Sequence, residues 1–288
     1  VSRIRTLSAI TLALTGLVAV MLFTNGCGRK AGEKTYITIK GSDTMVNLNG
    51  AWAEAFMKVN PGIEISVTGG GSGTGIAAML NGTTDICAAS RNIREKEEKL
   101  AEERGIAPVE FDIALDGIAV MVNNDNPVGD LIFDQLRKIF NGTYKNWRQV
   151  GGPNQPIIVL SRESNSGTYV FFQEHVLQKD NYSAEARLMP ATAAIAQSCA
   201  QDRWAIGYGG VGYALNSPVK IIKVKKTEKD EAIFPSSENI TSGKYPIARP
   251  LHFYTSGQPA GTIKKFIDFV LSPEGQKIVE EMEYVAVA

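Results

Sequence analysis

Runs that alternate apolar and polar residues recur along the chain, and several lead through glycines or hydroxyls into a helical apolar stripe. The first, residues 36–40, reads as a strand and passes into Gly41-Ser42-Asp43-Thr44, which opens a predicted helix reaching residue 59. Trp52, Phe56 and Val59 recur at helical spacing on that helix, and Asn60-Pro61-Gly62 stops it. Residues 63–68 alternate again as a strand. They are followed by a glycine loop and a short helix over 76–80, closed by Asn81-Gly82. A buried strand is predicted over 85–89, ending in Ser90-Arg91, and the charge-dense stretch 94–104 reads as a solvated helix face. Two apolar segments, 117–123 and the glycine-laced 205–213, read as strands that cross between two halves of the molecule. Between them lie a helix over 133–140, a strand over 157–160 and a helix opening at Ser166. Beyond residue 219 come a strand over 221–224, an exposed charge run over 225–229 and a strand within 246–254. A helix over 262–271 follows, and Ser272-Pro273-Glu274-Gly275 opens one more turn. Strands alternating with helices predict an α/β layer structure with largely parallel strands.

Charge narrows the function. Thirty basic and thirty acidic residues in 288 cancel, which argues against a nucleic-acid-binding face and means that a captured anion is held by local donors. At the N-terminus, Arg3 and Arg5 precede an uncharged apolar run over 7–23 and then Thr24-Asn25-Gly26-Cys27. Basic region, apolar region and small residue before a cut describe an export signal. The pattern resembles a bacterial lipoprotein leader, 1–26, with Cys27 as the lipidated residue and 27–35 as a tether. Thr24 stands where such leaders usually have Leu. The protein is expected to work outside the cytoplasm. Cys87 and Cys199 lie in apolar contexts and are expected to be buried free thiols, and no Cys/His spacing fits a metal site.

The candidate chemistry sits at strand-to-helix junctions. Ser42 with Thr44, Ser72 with Thr74, and Ser166 with Gly167 and Thr168 each follow a strand and open a helix, while Ser90-Arg91 ends a strand. In open α/β sheets ligands bind beyond the carboxyl ends of the strands. A helix N-terminus offers unpaired N–H groups and partial positive charge, and glycine lets an anion touch the main chain. Each hydroxyl taken alone is an ordinary N-cap, but four such junctions with surplus glycine point to an oxyanion site. Arg162, four residues before Ser166, adds a planar fork suited to two oxygens. Rival motifs fail: no Lys follows the glycine loop as a P-loop requires, and Thr74 breaks a nucleophile elbow at Ser72. His175 and His252, the two histidines, read as structural.

These residues resemble the phosphate-binding proteins of high-affinity phosphate ABC transporters. The likeness is carried by the leader, Gly41-Ser42-Asp43-Thr44, the glycine loop through Gly75, Asp85 to Arg91, Arg162-x-x-x-Ser166-Gly167-Thr168, and Pro250 to Thr255. It implies a two-lobed type II periplasmic-binding fold, each lobe a mixed sheet flanked by helices, with two crossover strands as hinge. The expected lobes are 36–118 plus 209–288, and 119–208. The implied phosphate contacts are Ser42 or Thr44, Ser72, Ser90, Arg162, Ser166, Gly167 and Thr168, and Arg91 beside Ser90 is counted as a further candidate contact. Related proteins often carry Asp where this chain has Arg91, and that Asp accepts the proton of hydrogen phosphate. Asp116 is the expected replacement acceptor, with Asp43 and Glu163 as alternatives and Asp85 after them. The resemblance implies inorganic phosphate and ABC permease subunits as partners, membrane attachment through lipid, a monomer, no cofactor and no catalysis. A receptor for sulfate, molybdate or tungstate, or a secreted phosphoester hydrolase, are the competing readings.

Overall fold

The computed structural model describes residues 35–287; the leader, Cys27 and the tether before residue 35 lie outside them. The first half follows the predicted alternation. Strand β1 (Thr35–Gly41) leads through a tight turn at Asp43–Met45 into helix α1 (Val46–Val59), β2 (Ile63–Thr68) and α2 (Ser72–Leu80). Next come β3 (Ile86–Ala89), α3 (Glu95–Glu103) and the long β4 (Val109–Val122). The chain continues with β5 (Asp130–Ile132), α4 (Phe133–Phe140), β6 (Ile158–Arg162) and α5 (Gly167–His175). It then forms β7 (Arg187–Met189), α6 (Thr192–Gln201), β8 (Ala205–Gly210), α7 (Val211–Leu215) and β9 (Lys220–Lys225). The last elements are α8 (Ser237–Thr241), β10 (Ala248–Thr255), α9 (Gly261–Val270) and α10 (Pro273–Glu281).

Strand β4 organises the rest. Its first half pairs antiparallel with β10, which continues through β3 and β1 to β2, and β1 is parallel to both β2 and β3. Its second half pairs antiparallel with β8 and β9, and β8 continues in parallel through β6 to β7. Two large apolar cores follow that division. One gathers Ile37, Trp52, Phe56, Ile113, Phe253 and Phe266; the other gathers Val120, Leu136, Phe140, Trp147, Phe172 and Tyr208. Ile222, Val224, Ile240, Tyr245 and Ile247 belong to the second core.

Two predicted boundaries move. The first crossover strand begins at Val109 rather than 117, because Glu110 and Asp112, polar in sequence, pair across to Tyr254 and His252 of β10. The second, 205–213, ends as a strand at Gly210 and does not cross back: it pairs with the second half of β4 and with β6. Val211–Leu215 then turns helical with the Val211 N–H bound to Asp116, and the chain returns to the first half only at β10. Strands are also less uniformly parallel than the alternation suggests, since β4 and β10 run antiparallel to their neighbours. Cys87 and Cys199 are buried and free, as expected, and burial pushes the Cys199 thiol up to about 12. No helix among the described residues is long and apolar enough to cross a membrane.

Candidate functional site

The carboxyl ends of β1, β2, β3 and β6 deliver the hydroxyl residues to one place. Gly41 ends β1 at φ +147, and a Cβ there would lie 2.0 Å from the Ala88 carbonyl, so only glycine lets β1 pass this close to β3. The Ser42 N–H then bonds the same Ala88 carbonyl at 2.8 Å, which aims Ser42 at Ser90. Ser42 Oγ donates to Ser90 Oγ at 2.9 Å, and Ser90 Oγ lies 3.2 Å from Ser72 Oγ. The Ser90 N–H donates to Ser72 Oγ at 3.0 Å. These three hydroxyls form one chain on the first jaw.

The second jaw is the start of α5. Ser166 caps that helix, its Oγ accepting from Tyr169 N–H at 3.3 Å. A Cβ on Gly167 would fall 2.3 Å from Ser72 Oγ and 2.6 Å from Ser90 Oγ. Thr168 Oγ1 is 2.9 Å from Thr44 Oγ1. Backbone contacts seal the meeting: Gly73 N–H donates to the Asn165 carbonyl at 3.0 Å, and Asn165 Nδ2 to the Gly70 carbonyl at 2.9 Å. The N-termini of α2 and α5 therefore face each other. The N–H groups of Ser72, Gly167 and Thr168, in the first turns of these helices, have no acceptor within them.

The charged residues are arranged otherwise than the motifs suggest. Arg162 is 2% exposed and is held by its own lobe and by Asp43. Its Nε donates to Met189 O at 3.2 Å and its Nη1 to Thr192 Oγ1 at 3.0 Å. Its Nη2 donates to Pro190 O at 3.0 Å and to Asp43 Oδ2 at 2.5 Å. Four of the five guanidinium N–H groups are thus engaged, so Arg162 is not an open fork for two anion oxygens. Arg91 is likewise committed: Nη1 and Nη2 each lie 2.8 Å from a different oxygen of Glu97, at the start of α3. Burial works against the Glu97 carboxylate, but the Arg91 hydrogen bonds and the Arg94 N–H hold it below its ordinary value.

Asp116 is fully buried and meets Val211 N–H at 3.2 Å through Oδ1 and Arg249 Nη2 at 3.1 Å through Oδ2. Burial pushes its carboxyl up, opposed by the Arg249 charge. It reaches the hydroxyl cluster through Arg249, whose Nη2 also donates to Thr168 Oγ1 at 2.8 Å. Arg249 is the site residue that the motifs omit. Its signal in the sequence is a charge inside an apolar strand, one position before the recognised Pro250. Tyr213 and Tyr284 are also missed; their hydroxyls donate to the Asp43 and Thr44 carbonyls at 2.9 and 2.6 Å and brace the first jaw. The histidines stand apart from the hydroxyls: His175 stacks on Phe171, and His252 Nδ1 lies 2.7 Å from Asp112.

A family model described as a PBP superfamily domain matches residues 28–274. The chain belongs to that superfamily. The mixed sheets on either side of β4 are its two lobes, and the hydroxyl cluster lies where they meet. The chain is 34% identical to the phosphate-binding protein PstS of Bacillus subtilis, over 91% of this chain and 85% of that one. It is 30% identical to the Pseudomonas aeruginosa protein of the same name, over 89% and 84%. A solved structure from Clostridium perfringens, a phosphate ABC transporter substrate-binding protein with bound phosphate, superposes with a TM-score of 0.80 at 32% identity. That match covers 88% of this chain and all (100%) of the other.

Proposed function

We propose that the protein is an extracytoplasmic receptor that binds inorganic phosphate between its lobes and delivers it to the permease of an ABC transporter. The observation that carries this reading is the convergence of two helix N-termini and five hydroxyls at Gly167, within families whose named members bind phosphate. Ser72, Ser90, Thr44 and Thr168 supply O–H donors, with Ser42 giving its proton to Ser90 and so orienting it; Ser72, Gly167 and Thr168 supply N–H donors. Each nearby guanidinium already has a carboxylate partner: Arg162 with Asp43, Arg249 with Asp116, and Arg91 with Glu97. Oriented dipoles therefore carry most of the work of replacing the anion's water, with the remaining Nη1 proton of Arg162 as a supplement. No catalytic step is assigned: the serines bond one another and the backbone, and the imidazoles have other partners.

The proposed lobes are 36–118 with 248–288, and 119–208 with the stretch 209–247. That stretch departs from the division read from sequence because its apolar side chains share the second core. Cys27 is proposed as the lipidated anchor and the receptor as a monomer. Titration calorimetry with phosphate, sulfate, molybdate and tungstate tests the reading, with phosphate expected to bind at least tenfold more tightly than the others. Equal affinity for sulfate would overturn the phosphate assignment. Release of phosphate from an aryl phosphate ester, lost in Ser72→Ala, would replace a receptor with a hydrolase.

A further inference from the structure

Arg249 stands on β10 between Ala248 and Pro250, 3% exposed. Its Nη1 donates to the Ser90 carbonyl on the first jaw at 2.6 Å. Its Nη2 donates to Thr168 Oγ1 on the second jaw at 2.8 Å and to Asp116 Oδ2 at 3.1 Å. The Phe171 ring, one turn along α5 from Thr168, packs 5.4 Å from the guanidinium carbon. One side chain thus ties together the end of β3, the start of α5 and the middle of β4.

The polarity of these bonds decides what they do. A guanidinium only donates, so Thr168 Oγ1 must accept from Arg249 and its own proton is directed elsewhere. The hydroxyl is left as a donor, toward Thr44 or toward an oxyanion. Ser72 is set in the same way, because the Ser90 N–H occupies an acceptor position on its oxygen. Asp116 neutralises Arg249, so the arginine contributes orientation more than net charge.

We propose that Arg249, with Asp116 as its counterion, is a positioning residue for anion capture: it fixes Thr168 as a hydrogen-bond donor and holds it against the Ser90 jaw without touching the anion. This rests on the reading that Thr168 contacts phosphate. It also assigns Asp116 a part played through Arg249 in place of the proton-acceptor role expected from sequence.

A double-mutant cycle read by calorimetry with inorganic phosphate tests it. Thr168→Val and Arg249→Lys are each expected to weaken phosphate binding by about ten- to hundredfold, as loss of a charge-assisted hydrogen bond implies. Lys keeps the charge facing Asp116 but cannot hold both jaws. The double variant should bind no more weakly than Thr168→Val alone, because Arg249 acts through the hydroxyl already removed. Multiplying effects, or an Arg249→Lys protein with wild-type affinity, would overturn the proposal while leaving the receptor reading intact. Wild-type affinity in Thr168→Val would remove the phosphate contact itself and the proposal with it. Should Arg249→Lys fail to fold, Asp116→Asn/Arg249→Met removes both charges together and carries the same expectation.

Discussion

At Gly167 the two jaws meet with no room for a side chain. A methyl group there would lie 2.3 Å from Ser72 Oγ and 2.6 Å from Ser90 Oγ, inside van der Waals contact. The backbone conformation is helical, so the demand for glycine is steric rather than torsional. These two facts separate stability from binding. Gly167 is the first residue of α5, where the helix preference for Ala counts little, and the overlap is with the opposite jaw and is relieved when the lobes part. Gly167→Ala should therefore change the melting temperature little. Seating phosphate between the jaws requires them to approach, and overpacking of this kind costs about 1–3 kcal/mol, which is roughly a five- to hundredfold loss of affinity. Calorimetry beside a thermal melt reads both quantities. Wild-type affinity in a normally folded variant would show that Gly167 does not face the ligand.

At the scale of elements, the start of α3 shows what local pattern conveys and what it hides. The charge density of 94–104 correctly announces a helix, yet Glu97 is not part of its solvated face. Its two oxygens bind Arg91, and one also accepts from the Arg94 N–H at 2.9 Å, closing the helix N-terminus. The strand ends that carry Ser42, Ser90 and Ser166 were legible because alternation, glycine and hydroxyl capping are all local signals. The partners of the arginines were not, since Arg162–Asp43 and Arg249–Asp116 join residues 119 and 133 positions apart. Glu97 has a consequence for acid stability. Its carboxyl is held below the ordinary 4.5, so its stabilisation is present in full above that value and is lost as pH falls through the lower, folded-state value. Glu97→Gln should lower stability at neutral pH by about 1–2 kcal/mol and flatten the part of the decline that the parent shows below about pH 4.5. Chemical denaturation at stepped pH measures this; identical acid limbs in both proteins would remove Glu97 from the explanation.

For the whole molecule, β4 threads two cores, and its later half was visible in sequence as the apolar run 117–123, whereas the return to the first core falls at β10 and not in the glycine-laced 205–213. The assignment of 209–247 to a core was not visible, because β9 reaches that core by pairing with β4 and β5, a non-local choice that a single strand's pattern does not encode. Two lobes joined by strands are able to bend, and the contacts between their jaws set how often they are closed. Asp43 is central among these contacts. Its Oδ1 accepts from the Gly70 N–H at 3.0 Å on its own lobe, and its Oδ2 binds Arg162 on the other. Asp43→Asn keeps the shape and the capacity to accept from Gly70 but removes the ion pair. The closed form should then be less populated without ligand, and apparent affinity should fall by the same factor as that population. Loss of a partly buried pair of this kind, about 1–3 kcal/mol, predicts roughly five- to hundredfold weaker phosphate binding. Small-angle scattering should give a larger radius of gyration for Asp43→Asn than for the parent without phosphate, and the same radius for both once phosphate saturates them. If the two proteins scatter alike under both conditions, the Asp43–Arg162 bond does not govern closure.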